Sequence, residues 1–218
     1  AQRQIRLTVA FYNLENLFDT IDGENNDADF LPDGSNQWTM EKYQQKLHNM
    51  AYAISQIGGQ RGPDIIGLAE IENRGVLEDL LRQPELRDAG YQIVHFDSPD
   101  KRGIDCALFY RSSVFQMTSA EPHPVILVGE EYIKTRDVLE VTGKLLGEPV
   151  SILVGHWPSR VGGEQASLRR RMQAAKVMRS VTDSLLQLNP QAKVILMGDF
   201  NDDPTSPSVV EGLRSKNS

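Results

Sequence analysis

The sequence predicts an α/β sandwich, with β-sheets packed face to face and helices on their outer sides. Two observations carry that reading. Eight short strand-like runs outnumber two long amphipathic helical stretches, and the helices fall between groups of strands. An apolar share of 39% over 218 residues is enough for one substantial core. No internal repeat, linker or domain boundary interrupts residues 1–218, which therefore read as a single domain.

The strand-like runs are "IRLTVAFYN", "DIIGLAE", "YQIVHF", "DCALFYR", "PVILV", "VLEVTGKLL", "PVSILVGHW" and "KVILMGD". The first helix is "MEKYQQKLHNMAYAISQIGG". There Leu47, Met50, Ala51, Ile54 and Ile57 recur at helical steps, and Gly58 or Gly59 supplies the stop. The second runs from about Glu164 to Leu188, with Leu168, Met172, Ala175, Met178, Val181, Leu185 and Leu188 along one stripe; Asn189 and Pro190 end it. Its "RRR" at 169–171 reads as a solvated face. Between Arg6 and Lys42 no basic residue occurs, while eight acids do. That composition predicts a solvated, mobile loop over residues 19–36.

With 23 basic and 30 acidic residues the net charge is −7, which argues against indiscriminate binding to nucleic acid or anionic membrane. No run reaches the roughly 20 apolar residues of a membrane span, so the chain reads as soluble. The single cysteine, Cys106, excludes an internal disulfide framework. The compartment stays open, although the small-residue start "AQ" is compatible with export.

Four strand-like runs end in polar residues that a strand does not need: Asn13 and Glu15, Glu70, His156, and Asp199 with Asn201. Singly, each has a plainer explanation as a turn, cap or buried histidine. If the strands run in compatible directions, their ends gather carboxylates, amides and one imidazole at one edge of the core. Carboxylate oxygens suit a hard cation such as Mg²⁺, with Mn²⁺ the alternative. No second histidine stands at metal spacing and there is one thiol, which argues against zinc. Arg160, just past His156, could grip phosphate as a fork, and Asp202, Asp203 and Pro204 read as turn residues.

In order, "FYNLENLFD", "GLAEIEN", "RGIDCALFYR", "GHWPSR" and "MGDFND" resemble the successive motifs of the endonuclease/exonuclease/phosphatase superfamily, across essentially the whole chain. The resemblance implies a four-layer α/β sandwich of two mixed sheets and Mg²⁺-dependent hydrolysis of phosphate esters. It implies Glu70 as metal ligand, supported by Asn13 and Glu15 of the first motif. Asn13 and Asn201 fall to substrate binding, where Arg160 joins them on its position alone and not through the resemblance, and His156 stands against the scissile phosphate. Asp199 activates water, Asn201 holds a phosphate oxygen, and Asp105 pairs with the histidine. The expected partner is a phosphate-ester substrate: nucleic acid, lipid or small molecule. The family's closing segment with "SDH" does not appear before residue 218. A sandwich lacking its C-terminal strands is therefore expected, with activity in doubt and self-association through an exposed sheet edge. The alternative is a non-catalytic phosphate-binding or interaction module.

Overall fold

A computed structural model describes residues 4–216. It contains two four-stranded mixed sheets with helices outside them. The first sheet has the order β1 (Val9–Leu17), β2 (Ile65–Ile71), β4 (Asp105–Arg111), β3 (Tyr91–His95). Strand β2 runs parallel to β1 and antiparallel to β4, which is in turn antiparallel to β3. The second sheet has the order β5 (Phe115–His123), β6 (Val138–Leu145), β7 (Glu148–His156), β8 (Lys193–Asp199). Only its last pair, β7–β8, is parallel.

Parallel neighbours need a crossover, and each parallel pair here has one. Helix α1 (Met40–Gln56) connects β1 to β2, and α3 (Glu164–Leu188) connects β7 to β8. Thr39 caps α1 by accepting the Lys42 N–H. Its buried residues Tyr43, Leu47, Ala51 and Ile54 lie on β1 and β2 with the short α2 (Arg74–Leu81) beside them. On the other side, Ala174, Ala175 and Met178 of α3 pack on Leu153 and Trp157. Between the sheets, Ile65, Leu108, Val141, Ile152, Val154 and Met197 form the inner layer. Gly67 lets the sheets approach: a Cβ there would lie 2.5 Å from the Met197 sulfur. The result is the expected helix–sheet–sheet–helix layering.

Four details depart from the sequence reading. "PVILV" is not a strand; β5 instead lies just before it, in a run whose side chains are mostly exposed. Helix α2 was not expected, although Asn73 caps it by accepting the Val76 N–H and Val76, Leu77 and Leu80 follow at helical spacing. The loop over 19–36 is folded back rather than free. Phe30 stacks on Phe18 at 4.3 Å, the Trp38 indole donates to the Phe18 carbonyl, and Asp27 is buried. Finally, Arg171 of "RRR" is fully buried, its Nε 2.7 Å from the equally buried Asp202. Asp202 also accepts from Ser208, so it ties α3 to the segment after β8 and does more than turn the chain.

Candidate active site

The C-terminal ends of the two parallel pairs meet at one edge of the sandwich, and local backbone irregularities aim the polar side chains there. Glu70 is an extra residue in β2: Ala69 pairs with Cys106 and Ile71 with Asp105, leaving Glu70 between them at φ 62°. A bulge of this kind redirects a side chain out of the pleat. In β1 the register shifts after Asn13, and Glu15 and Asn16 take positive φ. On the second sheet His156 and Asp199 are paired neighbours. Gly198 makes that pairing feasible, since a Cβ there would fall 1.9 Å from the Gly155 carbonyl oxygen.

Donor atoms of Glu70, His156 and Asp199 all lie within 4.8 Å of one another. Asn13 stitches the two sheets together, its Nδ2 donating to Glu70 Oε2 at 2.5 Å and to Asp199 Oδ2 at 3.0 Å. Its Oδ1 accepts the Glu15 N–H at 2.8 Å. Both ends of the amide are thus engaged, and Asn13 orients the carboxylates with its N–H rather than offering an oxygen as ligand. The Glu15 side chain is exposed and stands outside the cluster; the residue's carbonyl accepts from Lys46. Burial lowers the Lys46 ammonium below its usual pKa, against the pull of Glu15 and Glu70.

His156 is 7% exposed, and its Nδ1 is buried with no hydrogen-bond partner. Burial first, and the Arg136 charge second, push its pKa down to about 3 against the opposing Asp199, so the imidazole is neutral near pH 7. Asp199 Oδ1 accepts the Asn201 N–H at 3.1 Å, and the Asn201 Nδ2 donates to the Trp157 carbonyl at 2.8 Å. Asn201 therefore braces the β7 and β8 ends, with Trp157 stacked on Phe200.

Two expected residues do something else. Asp105 does not reach His156. Its carboxylate contacts His95 Nε2 at 2.8 Å and accepts the Ser98 N–H, because its strand, β4, pairs with β3 on the far side from the site. Arg160 is not a free fork: it donates to the Asn201 carbonyl and pairs with Asp202 at 3.1 Å and Asp203 at 3.7 Å.

Two arginines were not singled out from sequence. Arg102 Nη2 lies 3.6 Å from Glu70 with half its side chain exposed. Its "RG" opens the run "RGIDCALFYR", three positions before Asp105. Arg136 donates to the His156 and Trp157 carbonyls and pairs with Asp100, fixing the backbone that carries the imidazole. No local pattern in "KTRDV" signals that role.

A cavity of about 860 Å³ is beside this cluster but is not lined by Glu70, His156 or Asp199. Asp19, Glu72, Asp97, Asp100 and Asp105 are among its walls. Asn25, also in the wall, donates to the Arg102 carbonyl and thereby joins the cavity to the site. Burial pushes Glu72 up to about 7 despite the hydrogen bond it accepts from Asp19.

The sequence profile of the Endonuclease/Exonuclease/phosphatase family matches residues 8–218. The chain belongs to this family. Among solved structures, the human Nocturnin catalytic domain with bound sulfate is 23% identical, with TM-score 0.57 over 75% of this chain and 60% of that one. A mannosyl-6-phosphatase from Bacteroides thetaiotaomicron is 21% identical, with TM-score 0.64 over 95% and 70%. Sphingomyelinase C from Streptomyces griseocarneus is 15% identical, with TM-score 0.63 over 95% and 69%. At these identities the likeness concerns the fold. The chain spans roughly two-thirds of the length of the family structures it matches. No curated protein matches it. Among the described residues, no helix of this family member is long and apolar enough to cross a membrane.

Proposed function

We propose that the protein hydrolyses phosphate esters with a divalent cation, Mg²⁺ as the first choice, held at Glu70. The observation that carries this reading is the convergence of Glu70, His156 and Asp199 within 4.8 Å, at strand ends contributed by both sheets. The donor set fits a hard cation: two carboxylates face one another, with Arg102 the nearest cationic group to Glu70. A bound Mg²⁺ supplies charge neutralisation for phosphoryl oxygens. Asp199 is oriented by N–H groups on both of its oxygens, from Asn13 and Asn201, and takes the proton of the attacking water. The neutral His156 donates an N–H to a phosphoryl oxygen, with Arg136 locking its backbone. Arg102, half exposed beside Glu70, takes the phosphate-anchoring role expected of Arg160.

Substrate size follows from charge. Acids lining the neighbouring cavity disfavour a polyanion and favour a small phosphate ester. The mannosyl-6-phosphatase and the sphingomyelinase of similar fold are named for such substrates. The test is hydrolysis of bis-p-nitrophenyl phosphate, p-nitrophenyl phosphate and plasmid DNA, each with Mg²⁺ or EDTA. Mg²⁺-dependent turnover that disappears in Asp199→Asn supports the reading. Binding of phosphate esters without turnover, indifferent to Mg²⁺, assigns the protein instead as a non-catalytic module.

A further inference from the structure

We propose a second metal site, sharing no residue with the catalytic cluster, formed by Glu121, His123 and Glu140 on β5 and β6 and suited to Zn²⁺. Their donor atoms lie within 4.8 Å of one another. Glu121 and His123 are two residues apart on β5 and so share a face of the strand; Glu140 is the direct cross-strand partner of Glu121 on β6. The three donors therefore come from a rigid antiparallel ladder rather than from a loop.

The arrangement is unfavourable without a cation. Two carboxylates directly opposite one another on a ladder repel. The imidazole answers only one of them at close range, with His123 Nε2 2.6 Å from Glu140 Oε2. Tetrahedral Zn²⁺ with bonds near 2.0 Å separates its ligand atoms by about 3.3 Å, so the His–Glu pair opens by under about 1 Å to admit the ion. One imidazole nitrogen with two carboxylates selects a first-row ion such as Zn²⁺ over Mg²⁺ or Ca²⁺, which prefer all-oxygen shells. Three protein ligands leave a fourth position for water. Because β5 is the outermost strand of its sheet, such an ion would fasten an edge strand to its neighbour. The site was invisible to sequence reading because β5 itself was not anticipated, and β6 supplies the third ligand from a separate run.

The test uses the full chain carrying Glu70→Ala and Asp199→Ala, which disarms the catalytic cluster, with Zn²⁺ alone as probe. Calorimetry and melting are compared before and after adding His123→Ala or Glu121→Gln. The expected result is a Zn²⁺ equivalent and a Zn²⁺-dependent rise in Tm that His123→Ala abolishes. Glu121→Gln should weaken the affinity by about tenfold or more, since the loss of even an outer-shell partner costs about 10–100-fold. Glu121 is exposed, so that variant folds, with a metal-free Tm equal to or slightly above the parent's as the carboxylate repulsion is relieved, and it reports on binding even if His123→Ala fails to fold. Unchanged Zn²⁺ affinity in Glu121→Gln, or an equivalent retained in folded His123→Ala, overturns the proposal.

Discussion

Asp199 and Asp105 are both strand-end aspartates beside a histidine, yet they differ in what their loss should do. Asp199 stands in the cluster with Glu70 and His156. Asp105 is buried against His95, in a pair whose two side chains are 4% and 3% exposed. On the proposed mechanism, Asp199→Asn and His156→Ala each remove an interaction made mainly in the transition state. Each should lower kcat and kcat/KM together by about 10² to 10⁴, with KM little changed, and the double variant should lose less than the product. Asp105→Asn should leave turnover per folded molecule alone but cost about 1–3 kcal/mol in denaturant melts, by disturbing a buried hydrogen-bonded pair. An Asp105→Asn protein of normal stability and impaired turnover would place that residue in the chemistry after all. Glu70, His156 and Asp199 could be read from sequence because each is a polar residue closing an apolar run. The pairing of Asp105 could not, since strand order decides which histidine is near. Nor could the occupation of Arg160, whose partners Asp202 and Asp203 lie 42 and 43 positions away.

At the scale of elements, the chain was legible where one face is buried and obscure where it is not. Strand β7 is buried along nearly its whole length and announces itself as an apolar run. Strand β5 is an edge strand with mostly exposed residues and a proline, so it carries no such pattern. Its apolar successor "PVILV" buries Val125 and Leu127 under α3 as irregular chain. The stripe along α3 likewise missed Arg171, because an arginine is not a core residue unless something deep in the fold answers it. Asp202 does, and burial raises its pKa less than Ser208 and Arg171 lower it, leaving it below the usual carboxylate value. Asp202→Asn strands a buried guanidinium and should cost about 3–5 kcal/mol at pH 7. Replacing both partners, as Arg171→Met with Asp202→Leu, should cost less than the sum of the single changes. The sign with pH follows from linkage: a depressed carboxyl pKa contributes stability that is present above the unfolded value, about 3.9, and lost as pH falls through the folded one. The stability gap between wild type and Asp202→Asn should therefore narrow in acid melts below about pH 4. A constant gap down to pH 2 would mean the pair's charge contributes nothing.

For the whole molecule, the relevant quantity is the sign of its field. A net charge of −7 and an acid-lined cavity opening beside Arg102 set a negative potential around a site proposed to take an anion. A nuclease that depends on a basic surface loses affinity as salt releases its phosphate contacts. This protein should behave in the opposite way, because screening weakens repulsion between like charges and leaves the short-range contacts at Glu70 and Arg102 intact. Raising KCl from about 20 to 150 mM shortens the Debye length from roughly 20 to 8 Å, less than the reach of that cavity's field at low salt. At fixed Mg²⁺, kcat/KM for plasmid DNA should therefore rise with KCl. For a singly charged diester such as bis-p-nitrophenyl phosphate the rise should be smaller, since fewer charges are repelled. The Mg²⁺ concentration must be saturating throughout, because salt also weakens attraction of the cation to Glu70. A steep fall in kcat/KM for DNA over that range would show phosphate contacts on a basic surface outweighing the acidic field, and would favour a nucleic-acid substrate over a small ester.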